Sequence, residues 1–485
     1  MNLVSLKTAM ALPEIFLAAM ASLILILGLF LKESSRDKAC YWLSLFTLVA
    51  TALLVLNGFS SNSVIAFNGL FISDPMGALL KIAVCLISTT VFTYTRQYNQ
   101  DRDIFKSEYY VLGLFSVTGM MVMISASHLL SLYLGLELMS LCLYAMIAFY
   151  RDDKLAVESA MKYFVLGALA SSILLYGMSL IYGLTGSLEL SVISSTLSTI
   201  DQGNLALALA VVFVVVSLAF KLGVVPFHMW VPDVYQGAPT STTAFMGSVP
   251  KIAAFAIIMR LLVGGLGELH DMWQQMLIIL AILSVGIGNI IAIAQDNLKR
   301  MLAYSTISHM GFFLFGILSG AETGYSASLL YVIVYAAMSA ASFGVILCLA
   351  SEGNEFDKLS DLAGLSKRNP GLAFLLLVLM LSMSGIPPTA GFFAKLSVIQ
   401  ALVDAQLLWV AVTAVILAVI GAFYYLRIIK LAYFDDPVEG HSAPVTVRTD
   451  SKAALTVNVL LMVAILPWIG SLIDICNDVI SNFGS

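Results

Sequence analysis

Long apolar stretches separated by short polar ones run the length of the chain, and their lengths set its class. A membrane-spanning helix needs about 20 mostly apolar residues. On that measure the pattern predicts spans at 10–31, 40–58, 74–95, 109–125, 128–150, 158–184, 204–228, 239–263, 272–294, 300–319, 325–350, 371–401, 406–433 and 453–476. Alternation with a period of two, as in a membrane β-barrel, is absent. The expected fold is therefore an all-α polytopic membrane protein of about 14 transmembrane helices. The first run, Leu12 to Leu31, is longer than a signal-peptide core and reads as a retained first helix.

The basic residues between these runs alternate. Lys32, Arg36 and Lys38 follow span one; Arg96, Arg102 and Lys106 follow span three; Arg151 and Lys154 follow span five. Lys299 and Arg300 precede span ten, Lys358, Lys367 and Arg368 precede span twelve, and Arg448 and Lys452 precede span fourteen. The intervening loops, including 185–203, 319–325 and 402–405, carry no Lys or Arg. Basic loops face the cytoplasm, so both termini are expected outside. Two features break the rule: the bare loop 229–239, and Arg260 near the outer end of span eight.

Two spans contain helix breakers at matching places. Span seven has Gly223 and Pro226; span twelve has Gly385, Pro387, Pro388 and Gly391. Taking spans 4–8 and 9–13 as units makes each broken span the fourth of five. An odd number of helices requires the second unit to be inverted, and paired interrupted helices point to a midplane site. A packing kink is the structural alternative for either span alone. The resulting organisation is three N-terminal helices in 1–105, a first five-helix repeat in 106–265, an inverted repeat in 266–436 and helix 14 in 437–485.

Against this apolar background the ionisable residues stand out. Charges within spans cost about 2.5–3.5 kcal/mol each on insertion scales. Glu137, Lys162, Lys221, Lys251, Lys395, Lys81, Lys299 and His309 lie within or at the mouths of spans, and His228 follows the break at Pro226. Burial and neighbouring charge shift the pKa of such groups by several units, so a hydrated row of them meets the requirement for a proton relay. Structural readings stand beside the functional ones. Lys81 and Lys154 can snorkel to headgroups; Lys162 is one turn from Glu158; Lys299 beside Arg300 can be a topology signal; His228 can satisfy carbonyls freed by Pro226; His309 is a lone polar side chain in an apolar helix. His128, His270 and His441 are expected to be solvated.

Composition narrows the function. Only 11% of the 485 residues are charged and 60% are hydrophobic, against about 25% charged in soluble domains. A net charge of -5 with no basic patch argues against nucleic acid. Cys40, Cys85, Cys142, Cys348 and Cys476 are far apart, with no metal, iron–sulfur or disulfide spacing. No Gly-rich phosphate loop or nucleophilic triad is present.

The stretch "KLGVVPFHMWVPDVYQGAPTSTTAFMGSVPKIAAFAIIMRLL", residues 221 to 262, resembles the antiporter-like subunits of respiratory complex I. "DNLKRMLAYSTISHMG", residues 296 to 311, and "SGIPPTAGFFAKL", residues 384 to 396, fit the same family, and Asp233 to Pro239 is most similar to its N-type branch. The resemblance covers essentially the whole chain. It implies fourteen helices with two inverted five-helix repeats. It also implies key sites at a glutamate on span five, lysines on spans six, seven and eight, and a lysine or glutamate on span twelve. Glu137, Lys162, Lys221, Lys251 and Lys395 occupy those positions.

The implied function is a proton-pumping module of NADH:quinone oxidoreductase in the bacterial inner membrane, beside neighbouring antiporter-like subunits. NADH, FMN, iron–sulfur clusters and quinone are expected in other subunits, with no cofactor or metal in this chain. The expected path runs from the Glu137–Lys221 pair through Lys251, with His309 or waters between, to Lys395 and the outer side. Competing readings are a sodium/proton antiporter or membrane-hydrogenase subunit of the same fold, a small-solute carrier, and a non-pumping structural subunit.

Overall fold

The structure, a computed structural model, describes residues 9–60, 62–350, 355–437 and 448–483; His441 lies outside them. Apolar length sets the helices and capping side chains set their ends. The chain begins with α1 (Leu12–Phe30) and α2 (Glu33–Asn57), then a two-stranded antiparallel hairpin, β1 (Val64–Ala66) and β2 (Phe71–Ser73), with Val64 opposite Ser73. The hairpin was not expected from the sequence. Then come α3 (Pro75–Asp101), α4 (Ser107–Ile124), α5 (Leu129–Ile147), α6 (Lys154–Thr185) and a short α7 (Leu190–Leu197) within the bare 185–203 loop. Asp74 caps α3 through the Gly77 amide at 2.9 Å, and Asp153 caps α6 through the Leu155 amide at 2.8 Å. Each satisfies an amide that has no partner within its helix.

The next helices are α8 (Leu205–Leu222), α9 (Trp230–Gly237), α10 (Thr240–Ile258), α11 (His270–Ile293), α12 (Leu298–Ile317) and α13 (Glu322–Leu349). After a single turn, α14 (Leu365–Arg368), follow α15 (Pro370–Ser384), α16 (Ala390–Asp404), α17 (Leu408–Phe434), α18 (Thr449–Ala464) and α19 (Ile469–Ser481). The stretch 229–239, read as a bare loop, is largely α9.

Eleven described helices are long and apolar enough to cross a membrane; counting α18 and the following bent segment, 49° apart, as one span makes twelve. Of the remaining expected spans, 300–319 forms α12, whose Ser, Thr, His, Lys and Arg residues dilute its apolar character. Span 371–401 is split into α15 and α16, 15 residues each. About nine-tenths of the apolar stretch of α10 and of α13 is buried, against a third in α1 and α17. The first pair forms the centre and the second faces outward.

Glycines let neighbouring helices touch in two places, α4 against α5 and α11 against α12. A Cβ on Gly119 of α4 would lie 2.5 Å from the Met139 backbone nitrogen, and one on Gly135 of α5 would lie 2.6 Å from that of Met123. In α11 a Cβ on Gly288 would lie 2.9 Å from the Ser308 nitrogen of α12.

Candidate functional site

The two interrupted helices end in the same way. Gly223 closes α8 with φ +78°, and Gly385 closes α15 with φ +80°. The Gly223 and Val224 amides both donate to Ala219 O at 3.0 Å. The Gly385 and Ile386 amides donate to Leu381 O at 3.1 and 3.0 Å. Glycine is needed because a left-handed residue with a Cβ is strained. A cis peptide follows each cap, at Val225–Pro226 and Pro387–Pro388.

These ends leave carbonyls without intrahelical partners, and side chains take them up. Lys251 of α10 donates from Nζ to Leu222 O at 2.8 Å. Trp230 donates from Nε1 to Phe220 O at 3.0 Å. Lys395 of α16 donates to Met383 O at 3.1 Å and Ser384 O at 3.0 Å. A cation at a helix C-terminus is favoured both by the free carbonyls and by the helix dipole.

Lys221 is held differently. Its Nζ donates to Ser140 Oγ at 3.1 Å and Ser171 Oγ at 3.3 Å. Glu137 is one turn from Ser140 on α5, and its Oε1 is buried without a hydrogen-bond partner. The two charges of the expected Glu137–Lys221 pair thus face the same region, but the ammonium contacts hydroxyls rather than the carboxylate. A cavity of ≈ 20 Å³ lies between Lys221 and Lys251, walled by Trp230, Tyr163 and Pro250. That is room for about one water. A second cavity, ≈ 230 Å³, reaches Lys395 between α15, α16 and α17.

His309 joins helices in the second half. Its Nδ1 is 2.7 Å from Tyr331 Oη and its Nε2 is 3.0 Å from Tyr425 Oη, which also bonds Ser305 at 2.5 Å. Tyr331 stacks on Phe312, whose ring lies 5.1 Å from Lys395 Nζ. Lys299 is buried and donates to Ala238 O at 3.2 Å, so it is more than a surface topology signal. His228 is buried with Nδ1 unpartnered, its ring 6.4 Å from that of Tyr304.

Lys162 stands apart from the buried lysines. It is half exposed and pairs with Glu158 at 2.9 Å and Asp233 at 3.0 Å. Asp233 also binds Arg300 at 2.8 Å, tying α9 to both α6 and α12.

Several expectations change. Lys81 does not snorkel: it is buried against Glu14 of α1 at 2.5 Å. Arg260, the exception to the basic-loop pattern, is buried. It forms two 2.7 Å bonds to Asp74 and donates to Ile124 O at 3.1 Å, which accounts for its place outside the loop pattern. His128 and His270 are half buried rather than solvated. Ser140, Ser171, Tyr331 and Tyr425 were missed because single hydroxyls in apolar helices carry no spacing signal. Asp233 could have been found, as the acid in an otherwise uncharged break. Among the described residues no group of three or more His, Cys, Asp or Glu is placed to hold a metal ion.

A family profile described as NADH:quinone oxidoreductase/Mrp antiporter, transmembrane, matches residues 126–421. A curated relative from Thioalkalivibrio sulfidiphilus, named NADH-quinone oxidoreductase subunit N, is 54% identical over 470 residues, covering 97% of this chain and 97% of the relative. One of the same name from Thiobacillus denitrificans is 54% identical over 465 residues, covering 96% of each. A chain from the structure of respiratory complex I from Thermus thermophilus with bound Aureothin has a TM-score of 0.81 at 30% identity, covering 95% of this chain and 98% of that one. A chain of the Mrp complex from a Dietzia species shares the fold, with a TM-score of 0.84 at 22% identity over 98% and 97%. The chain belongs to the NADH:quinone oxidoreductase/Mrp antiporter membrane-subunit family. Within that family its full-length sequence agreement, at 54% identity, is with the relatives named subunit N.

Proposed function

We propose that this chain is a proton-translocating membrane-arm subunit of NADH:quinone oxidoreductase, working in the bacterial inner membrane through a hydrated relay. The observation that carries the reading is the placement of three ammonium groups. Lys221 rests on two serine hydroxyls, while Lys251 and Lys395 rest on carbonyls at the ends of the two interrupted helices. Each charge is solvated by protein inside an apolar bundle, beside space for water.

In this reading the chain has fourteen crossings, with α12 and the broken α15–α16 completing the set and both termini on the outer face. Residues 106–265 and 266–436 are two inverted five-helix repeats, supported by the matching Gly223 and Gly385 caps. A charge change imposed by a neighbouring subunit at Glu137 alters how Lys221 holds its proton. The proton passes through the water-sized cavity to Lys251, then by way of Lys299, the Tyr331–His309–Tyr425 chain and Lys395 to the outer side. Lys162 and His228 flank the first break and tune it. Carrying one charge across 100 mV takes about 2.3 kcal/mol. Electron transfer from NADH through FMN and iron–sulfur clusters to quinone belongs to other subunits.

The test is Lys221→Ala and Glu137→Ala in complexes assembled to normal levels. Protons moved per NADH oxidised in sealed vesicles should fall for both. Unchanged pumping in both would make this a structural subunit.

A further inference from the structure

On the face carrying the basic loops, one carboxylate outside the proposed relay is built into its framework. Glu355 lies in the segment before α14, and its side chain is 39% exposed. Its Oε1 accepts from Tyr98 Oη at 2.7 Å and from Arg102 Nε at 2.8 Å. Its Oε2 accepts from Thr240 Oγ1 at 3.5 Å, and the Thr240 amide donates to the same Tyr98 oxygen at 3.2 Å. Tyr98 and Thr240 are buried.

Thr240 ends the short link 238–240 that joins α9 to the Lys251-bearing helix α10. Lys299 donates to Ala238 O in that link at 3.2 Å. Glu355 and Lys299 thus hold the same short peptide link, one from the surface and one from within. The charged groups within electrostatic reach of Lys299 are Glu355, Asp357, Asp153 and Arg102. Asp357 is engaged by Asn297 Nδ2 at 2.7 Å. Near this arrangement an open cavity of ≈ 510 Å³, lined by Gln236, Asp296, Asn297, Asp357 and Arg427, reaches the start of α12.

We propose that Glu355 collects protons at the cytoplasmic surface and delivers them to Lys299, with Tyr98 and Thr240 as positioning residues. This rests on the relay reading above. The carboxylate takes a proton from bulk water and passes it to the unprotonated amine through water at the 238–240 link. Charge balances: Glu355 returns to carboxylate and Lys299 becomes ammonium. A half-exposed carboxylate is suited to this because it contacts solvent while its orientation is fixed from the buried side.

The experiment uses the assembled complex in sealed membrane vesicles, with NADH-driven acidification followed across pH for Glu355→Gln, Glu355→Asp and Lys221→Ala. Glu355→Gln should match the parent at acid pH, where protons reach Lys299 from water unaided, and lose about tenfold in rate at alkaline pH, where collection limits. Glu355→Asp should restore most of the alkaline rate. A purely structural role predicts a pH-independent loss that aspartate does not selectively repair, and that result overturns the proposal. So does a Glu355→Gln complex that follows the parent at every pH while Lys221→Ala fails to pump; that outcome leaves the relay intact. If Lys221→Ala also pumps normally, the relay itself fails. Should Glu355→Gln prevent assembly, Tyr98→Phe keeps the carboxylate on Arg102 but removes its bond to the buried tyrosine, and an alkaline loss of about threefold is expected; a pH-independent rate would overturn the proposal.

Discussion

A lysine in lipid needs somewhere to put three donors, and the side chains here find three kinds of acceptor. Lys251 and Lys395 use helix-end carbonyls, Lys221 uses Ser140 and Ser171, and Lys81 uses the Glu14 carboxylate. The serine pair leads to a prediction. Ser140→Ala and Ser171→Ala together remove both neutral acceptors of a buried ammonium, which leaves Lys221 either to draw toward Glu137 or to lose its proton. Pumping should fall while Ser140→Thr and Ser171→Thr, which retain the hydroxyls, keep it; equal pumping in both sets would remove the serines from the relay. A second residue-scale effect lies at a helix end, just before α5. His128 Nδ1 accepts from the Leu130 amide at 3.1 Å and caps α5. Burial lowers its pKa, and the Glu189 carboxylate partly opposes that shift. Only a neutral ring accepts this bond, so the cap is complete above the ordinary histidine pKa of about 6.5 and is lost as pH falls through the lower folded value. The protection of the Leu130 amide, its exchange rate taken relative to the intrinsic rate at each pH, should fall on acidification, whereas His128→Asn, an acceptor at any pH, should keep that protection.

At the scale of elements, the sequence made the breaks legible but not their use. Gly223–Pro226 and Gly385–Pro388 are visible because glycine and proline interrupt long apolar runs. Which carbonyls they release, and that Lys251 arrives from a neighbouring helix while Lys395 comes from the far side of its own break, depends on packing that spacing does not encode. The same limit explains α9: a short segment with Asp233 and no basic residue reads as a loop until its partners Lys162 and Arg300 come from other helices. Gly223→Ala and Gly385→Ala test whether the two caps are equivalent. Each forces a Cβ into left-handed backbone at about 1–2 kcal/mol. The new methyl would lie 2.5 Å from Val231 Cγ2 in the first case and 2.7 Å from Lys395 Cδ in the second. Both should lower the thermal midpoint in detergent. Gly385→Ala should also displace Lys395 and depress pumping in whatever complex still assembles.

Across the whole molecule, charge works in two ways. Loop lysines and arginines alternate from one loop to the next, whereas Arg260 and Asp74 fasten the bundle. The loop pattern was readable because topology depends on where basic residues fall between spans. The buried pair was not, because Asp74 and Arg260 are far apart in sequence and each reads singly as a helix-end charge. Arg260 is the second residue of a π-helical turn, Met259–Gly265, that continues α10, so the pair ties the C-terminal end of the Lys251 helix to the start of α3. Breaking one side of a buried pair costs about 3–5 kcal/mol, because the remaining charge is stranded. Arg260→Met alone and Asp74→Asn alone should therefore each reduce assembly sharply. Asparagine retains an oxygen for the Gly77 cap, so the Asp74→Asn, Arg260→Met double variant leaves no stranded charge and should recover most of the lost stability. By contrast Lys162→Ala, which removes a half-exposed pairing, should cost about 1 kcal/mol or less. Thermal unfolding of the four variants separates the cases. Recovery in the double variant identifies the pair as a fastener whose absolute charge is dispensable, and persistent loss would instead mean that the bonds the two charged groups make to Ile124 O and the Gly77 amide, not only their mutual neutralisation, hold this end of the bundle.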